Sequence, residues 1–270
     1  MADLKVAIAG AGGRMGAANI RAITAAAGIY VHGAFDRRGA DAIGRDAGLI
    51  SGIEALDVFV TDDVEHALSG ADAIIDFTAP AATVALANVA AQLGLVHVIG
   101  TTGLSGADEA ELQRAARNGA RIVKSGNFSP GMVLLAGMVR KAARALADYD
   151  IEIVEMHHNR KVDAPSGTAL LLGEAAAAGR KVSLSAQAVR SRDGHVGARK
   201  AGTIGFAALR GGTVVGDHSV IFAGPSERIE LTHRAEDRTI FANGAVRAAL
   251  WARDQAPGYY SMDDVLGLGE

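Results

Sequence analysis

The 270-residue chain has no cysteine. That excludes disulfides and any thiolate nucleophile or metal ligand, and it fits a cytoplasmic location. Aromatic residues make up only 4%, too few to line a base-stacking surface for single-stranded nucleic acid. The net charge is −3 and no basic block interrupts it, which argues against a nucleic-acid partner held through its phosphates. No run of about 18 apolar residues is present, and no charged, apolar, then small-residue leader opens the chain. Neither a membrane span nor secretion is therefore expected. What is abundant is small and apolar: 49% of residues are hydrophobic and 34 are glycine. Such a chain can bury a substantial core, as one large domain or two modest ones.

The N-terminal end reads as a strand, a glycine-rich turn and a helix. Leu4–Ala9 is a short apolar run, Gly10-Ala11-Gly12-Gly13-Arg14-Met15-Gly16 follows, and Arg14–Ala27 is helical in pattern. Glycines let a backbone turn tightly and approach a pyrophosphate, while the helix N-terminus faces its charge. Met15 stands where a strict G-x-G-x-x-G would have its third glycine, so the spacing is that of Gly10, Gly13 and Gly16. A second strand, Tyr30–Phe35, runs into Asp36 and Arg37-Arg38. An acid at that place accepts from the ribose hydroxyls of NADH, and a guanidinium pairs with the extra phosphate of NADPH. Because an exposed carboxylate can swing away, both NADH and NADPH are expected to serve.

Further strands are predicted at Val58–Val60, Ala73–Phe77, Val96–Ile99 and Arg121–Lys124, with helices at Ala82–Leu93 and Ala107–Asn118. Alternation of this kind specifies a parallel sheet with helices on its faces, and ligands bind such sheets beyond the carboxyl ends of the strands. Three loops lie there: Asp76-Phe77-Thr78-Ala79-Pro80, Gly100-Thr101-Thr102-Gly103, and Ser125-Gly126-Asn127-Phe128-Ser129-Pro130-Gly131. Their hydroxyls, glycines and amide suit a ribose and a carboxamide in a confined crevice.

After Asn127 the pattern changes. A helix over Met132–Leu146 is followed by predicted strands at Asp150–Met156, Ala188–Ser191, Gly202–Leu209, Thr213–Phe222 and Arg228–His233, with Arg210-Gly211-Gly212 as a hairpin signal. The fold class expected is α/β: a Rossmann-like parallel-sheet domain over 1–127, and a smaller α+β domain with a mostly antiparallel sheet over 128–238. A C-terminal segment, 239–270, returns to the first domain through a helix at Asn243–Arg253. The open face of the second sheet calls for cover, and oligomerisation is one way to supply it.

The run from Glu155 to Ala169 carries the most chemistry. Asp150–Met156 alternates as a half-buried strand ending at His157, and Thr168–Ala178 reads as a helix. His157, His158 and Lys161 thus sit where a strand runs out, offering protons and positive charge. Ser166-Gly167-Thr168 sits where a helix begins, offering backbone N–H groups to a carboxylate or phosphate. The arrangement suits an anionic small molecule that must be protonated. A metal is not expected, because adjacent histidines on a strand point to opposite sides and no His-x-x-x-His accompanies them.

These motifs together resemble the bacterial 4-hydroxy-tetrahydrodipicolinate reductase family, the lysine-pathway enzymes once called dihydrodipicolinate reductases. The resemblance rests on Ala9–Gly16, Ile75–Thr78, Val98–Gly103, Gly126–Ser129 with Gly131, and Glu155–Ala169, and it extends through Gly202–Phe206 and Phe241–Val246. It implies reduction of a cyclic dicarboxylate by NADH or NADPH in the diaminopimelate route to lysine. It also implies His157 as general acid/base, Lys161 as proton donor, and His158, Gly167 and Thr168 as substrate contacts. Cofactor contacts are implied at Gly10, Ala11, Gly12, Gly13, Arg14, Met15, Asp36, Arg37, Gly100, Thr101, Thr102, Ser125, Gly126, Asn127 and Phe128, and the implied assembly is a homotetramer built through the second domain. Two other readings stay open at this point: another NAD(P)-dependent reductase of an aspartate-derived metabolite, and a non-catalytic NAD(P)-sensing Rossmann protein. The semialdehyde dehydrogenases of those pathways are disfavoured, since they need a cysteine nucleophile.

Overall fold

The computed structural model describes residues 2–268; Met1, Gly269 and Glu270, the last two at the end of the expected C-terminal segment, lie outside them. The chain divides into two compact units. One comprises residues up to Pro130 together with those from Thr239 onward, and the other is Gly131–Arg238.

The first unit begins β1 (Leu4–Ala9), α1 (Arg14–Thr24), β2 (Ile29–Phe35), α2 (Ala47–Ile50), α3 (Val64–Leu68), β3 (Ala73–Asp76), α4 (Pro80–Leu93), β4 (Val96–Ile99), α5 (Gly106–Arg117) and β5 (Arg121–Lys124). β3 and β4 are buried along their whole length, as strands covered on both faces must be. Local chemistry sets the helix limits. Pro80 opens α4 and Gly94, in the left-handed region at φ 66°, closes it. Ser105 and Asp108 form a reciprocal capping box on α5.

Val58–Val60, expected as a strand, forms no ladder. Phe59 makes one bridge to Asp46, and Thr61 one to Phe35. The cause is Asp46, whose buried carboxylate accepts from the N–H groups of Gly48, Leu49 and Leu56. It folds that stretch into a closed turn instead of a partner strand.

The second unit runs α6 (Pro130–Ala145), β6 (Asp150–His157), α7 (Gly167–Arg180), α8 (Leu184–Gln187), β7 (Ala188–Val189), β8 (Ile204–Arg210), β9 (Gly216–Ala223) and β10 (Arg228–Ala235). The expected Ala188–Ser191 strand shortens to two residues because Arg192 turns away to pair with Glu152. The strand order is β10-β9-β6-β8-β7. This sheet is mixed rather than mostly antiparallel: β9 is antiparallel to β10 and β6, whereas β8 is parallel to β6 and β7. α7 lies between β6 and β8 in the chain, and a helical crossover returns the next strand parallel.

Nor is Arg210-Gly211-Gly212 a hairpin. β6 lies between β8 and β9, so the connection wraps over the end of β6. There Gly211 N–H donates to the His157 carbonyl, Asn159 N–H to that of Gly212, and His158 N–H to that of Val214. Ile151, Ile153, Phe206, Val220 and Phe222 form the core of this unit with Val139, Leu172 and Ala176 from α6 and α7. By register, Val154, Met156, Ala207, Leu209 and Ile221 share the opposite face.

The chain then adds α9 (Thr239–Ala252), β11 (Gly258–Tyr260) and α10 (Met262–Leu266) to the first unit. The alanine-rich face of α9 packs on α1. Gly244 is required where the same helix meets the loop after β5, because a Cβ would lie 1.7 Å from the Phe128 carbonyl oxygen. β11 pairs parallel with β5, completing a six-stranded parallel sheet in the order β11-β5-β4-β3-β1-β2. No helix among the described residues is long and apolar enough to cross a membrane.

Candidate functional site: a nucleotide cradle and a histidine–carboxylate clamp

In the first unit, β1 ends at Gly10, whose φ of 68° suits glycine. α1 starts at Gly13 without a side-chain cap and with no acid in its first turn, which leaves the positive end of the helix to a ligand. Gly16, one position beyond the expected third glycine, is fixed by close approach: a Cβ there would lie 2.3 Å from the Gly10 carbonyl oxygen. Asp36 does not swing free. Its carboxylate accepts from Gly12 N–H at 2.9 Å and from its neighbour Arg37 N–H at 2.7 Å, tying the glycine turn to the end of β2. Arg37 and Arg38 are exposed. Gly10, Gly13, Asp36, Arg37, Phe77 and Thr78 lie around a mostly apolar cavity of about 670 Å³. Its apolar wall fits an adenine, and the acid and arginine beside it fit the ribose.

The strand-end loops are held from beneath. Asp76 is fully buried and accepts from Thr78 N–H (3.0 Å), Thr78 Oγ1 (2.5 Å) and Thr101 Oγ1 (3.3 Å), with His97 Nε2 at 3.2 Å. Burial alone would raise its pKa. The His97 contact and the hydroxyl donors outweigh that and hold it below the ordinary carboxylate value. The Thr101 hydroxyl, expected to face a ligand, is engaged with Asp76 and Thr83 instead; Thr102 beside it is exposed. Gly100 makes room for the Phe77 ring, which a Cβ would meet at 2.1 Å. Phe77 in turn packs on Phe128 with ring centroids 5.6 Å apart. Phe128 is buried, so its side chain supports the loop from within. In that loop Ser125 Oγ donates to the Asn127 carbonyl and Ser129 N–H donates to Asn127 Oδ1.

The second unit brings together the residues read from Glu155 to Ala169. Alternation along β6 puts Glu155 and His157 on its buried face, and His157 Nδ1 lies 2.6 Å from Glu155 Oε2. The same carboxylate accepts both Arg210 terminal nitrogens, at 2.8 and 2.9 Å, and the Ser166 N–H at 3.1 Å. Burial acts to raise Glu155, but Arg210 and His157 hold its pKa below the usual value. Ser166 caps α7 by accepting from Ala169 N–H, and the helix has no acid in its first turn. Gly167 and Thr168 therefore begin a helix that carries no acid of its own in the first turn, and the Glu155 carboxylate, paired with Arg210, meets it at the cap.

Lys161 turns back on the strand end through its N–H to the His158 carbonyl, and Asp163 grips its ammonium at 2.8 and 2.9 Å. Arg238 comes within 3.3 Å of His158 Nε2, and partial burial and that guanidinium push the His158 pKa down. His218 stacks edge-on against His157 at 5.1 Å and meets the Ser166 hydroxyl at 3.1 Å. Burial and the neighbouring His157 push His218 down to about 4.

Sequence reading missed Glu155, Arg210, Asp163 and His218. Glu155 was detectable, since an acid two residues before a histidine in an alternating strand shares its face. Arg210, 55 residues away from Glu155, carried no local signal.

Models of the dihydrodipicolinate reductase family match in both halves, the N-terminal one over residues 4–128 and the C-terminal one over 131–266. The chain belongs to the dihydrodipicolinate reductase family. It is 61% identical over 270 residues to the 4-hydroxy-tetrahydrodipicolinate reductase of Rhodopseudomonas palustris (strain BisA53), covering 100% of this chain and 98% of that one. It is 60% identical to the enzyme of that name from Chelativorans sp. (strain BNC1), with the same coverage of each. The dipicolinate-bound dihydrodipicolinate reductase of Paenisporosarcina sp. TG-14 shares the fold, with a TM-score of 0.77 over 96% of this chain and 97% of that one at 22% identity. As a member of this family the chain is an oxidoreductase with a nicotinamide cofactor, and the glycine cradle, uncapped helix and apolar cavity of its first unit fit that group.

Proposed function

We propose that the protein reduces 4-hydroxy-tetrahydrodipicolinate to tetrahydrodipicolinate with NADH or NADPH, in the diaminopimelate route to lysine. The nicotinamide, when bound, supplies the hydride. The hydroxylated ring loses water, a ring carbon of the conjugated imine accepts the hydride, and the charge left on the ring demands a proton. His157 serves as general acid/base and Lys161 as proton donor. Gly167 and Thr168 offer backbone N–H groups to one carboxylate, and His158 makes a further contact. A dianionic ligand favours the protonated forms of nearby imidazole and ammonium groups.

The observation that carries this reading is the shared carboxylate. His157 and the Ser166 N–H bond the same Glu155 side chain, so a proton-bearing group and an anion-accepting helix start stand side by side. A non-catalytic cofactor sensor has no use for that pairing.

In the assay, NAD(P)H oxidation is followed with the dicarboxylate as substrate. His157→Gln and Lys161→Ala each reduce turnover by roughly 10²–10⁴-fold, with cofactor binding nearly unchanged. Near-normal turnover in both variants would reject the assignment. We also propose a homotetramer built through the second unit. Its support is the stripe of Val154, Met156, Leu209 and Ile221 on the sheet face opposite the core, with Leu209 50% exposed. Light scattering of the purified protein tests it, and a monomer at assay concentration would refute it.

A further inference from the structure

We infer that Glu155 is the positioning residue of the second unit's site: clamped by Arg210, its one carboxylate sets the tautomer of His157 and fixes the start of α7. The inference rests on the functional reading above for its catalytic consequence, but its geometric part stands without it.

The carboxylate has about four lone-pair sites, and four N–H groups use them. Arg210 fills one on each oxygen as a planar fork, His157 Nδ1 takes a second on Oε2, and Ser166 N–H takes a second on Oε1. A structural ion pair alone would need only the arginine. Arg210 is itself fixed by donating to the carbonyls of Leu209 and Asp163, so the carboxylate cannot rotate to follow the imidazole. An ionised carboxylate only accepts. Neutral His157 must therefore carry its hydrogen on Nδ1 and keep the Nε2 lone pair available.

A separate feature fixes where Nε2 lies. Gly216, on the adjacent strand, lets the ring pack close to the backbone: a Cβ at that position would lie 2.9 Å from Nε2. His218 packs on the ring from β9, and burial keeps it uncharged near neutrality, so it adds no competing charge there. The same Glu155 reaches Ser166, one residue before Gly167. Proton group and anion-binding turn are thus indexed to one rigid point rather than to two flexible loops.

The test uses the intact protein with ¹⁵N-labelled histidine. The His157 resonance is identified by its loss in His157→Gln. We expect wild-type His157 to show the Nδ1–H tautomer at alkaline pH. In Glu155→Gln an amide presents N–H as well as oxygen, so the tautomer becomes mixed or inverts. Turnover with the dicarboxylate should fall at least ~10-fold, as when a triad loses its orienting acid, while the Kd for NADPH stays within about twofold. Glu155→Asp should recover part of the loss.

A wild-type Nε2–H tautomer, or a Glu155→Gln protein with unchanged tautomer and turnover, would overturn the inference. If Glu155→Gln does not fold by circular dichroism, Arg210→Lys takes its place. It keeps the charge but loses the fork, and an unaltered tautomer and turnover in it would overturn the clamp. A wild-type protein that does not oxidise NADPH with the dicarboxylate would defeat the functional reading alone, and the tautomer measurement would still decide the positioning role.

Discussion

Acid should weaken the protein through His218 before its carboxylates titrate. The side chain is buried against His157 and Ser166, and its pKa falls from 6.5 to about 4. The sign follows from proton counting: below pH 6.5 the unfolded chain binds a proton that the folded protein refuses until about pH 4. Stability from this group is complete above the unfolded value and is lost as pH falls towards the folded one. Between pH 7 and pH 4.5 the loss comes to about 2–3 kcal/mol. Urea unfolding at fixed protein concentration, repeated at intervals across that range, measures the slope. His218→Gln retains a nitrogen or oxygen for the Ser166 hydroxyl and has nothing to titrate. Its stability should therefore fall less with pH, by about that difference. The Asp76 and Glu155 pKa values are lowered, so their contributions are lost at lower pH and are common to both proteins. Parallel wild-type and variant curves from pH 7 to 4.5 would refute the reasoning.

Two further outcomes can be checked at the bench. Gly216→Ala brings a methyl to 2.9 Å from His157 Nε2, displacing a ring that Glu155 grips from behind; turnover should fall roughly 10- to 100-fold with NADPH affinity intact, and unaltered turnover would disprove a role for that space. For cofactor choice, wild-type preference between NADH and NADPH should stay within about tenfold, or ~1.4 kcal/mol. Asp36→Ala should weaken NADH more and Arg37→Ala should weaken NADPH more, the latter effect shrinking with salt; titration of both variants with both cofactors would count against this if each lost the two equally.

The sequence was most legible where a local pattern has one physical meaning. Leu4–Ala9 entering a glycine turn, and the alternation of β6, each specify geometry within a few residues. What escaped depends on partners distant in the chain. Val58–Val60 has strand composition, but Asp46 curls the preceding stretch, which offers it a single bridge rather than a ladder. Gly211-Gly212 carries a hairpin's chemistry, yet β6 inserts between the strands it joins, and the turn becomes a clasp over the histidine pair. Gly258–Tyr260 is too short to show a period and is a strand only because β5 offers an edge. At the candidate site, the histidines, the lysine and the helix start were readable as a motif. Their common anchor was not: Arg210 reaches Glu155 from another strand, and the Thr101 hydroxyl is claimed by Asp76 from the neighbouring one.

The return of α9 and β11 to the first unit bears on how the chain is made. Its parallel sheet lacks an edge strand, and α1 lacks the helix it packs on, until residues beyond 238 have been synthesised. The second unit is continuous, Gly131–Arg238, and can close earlier. Synthesis from the N-terminus therefore leaves the first unit, begun first, to be completed last. Until α9 arrives, the flank of α1 that it covers stays exposed, which makes the nascent first unit the stage most exposed to aggregation.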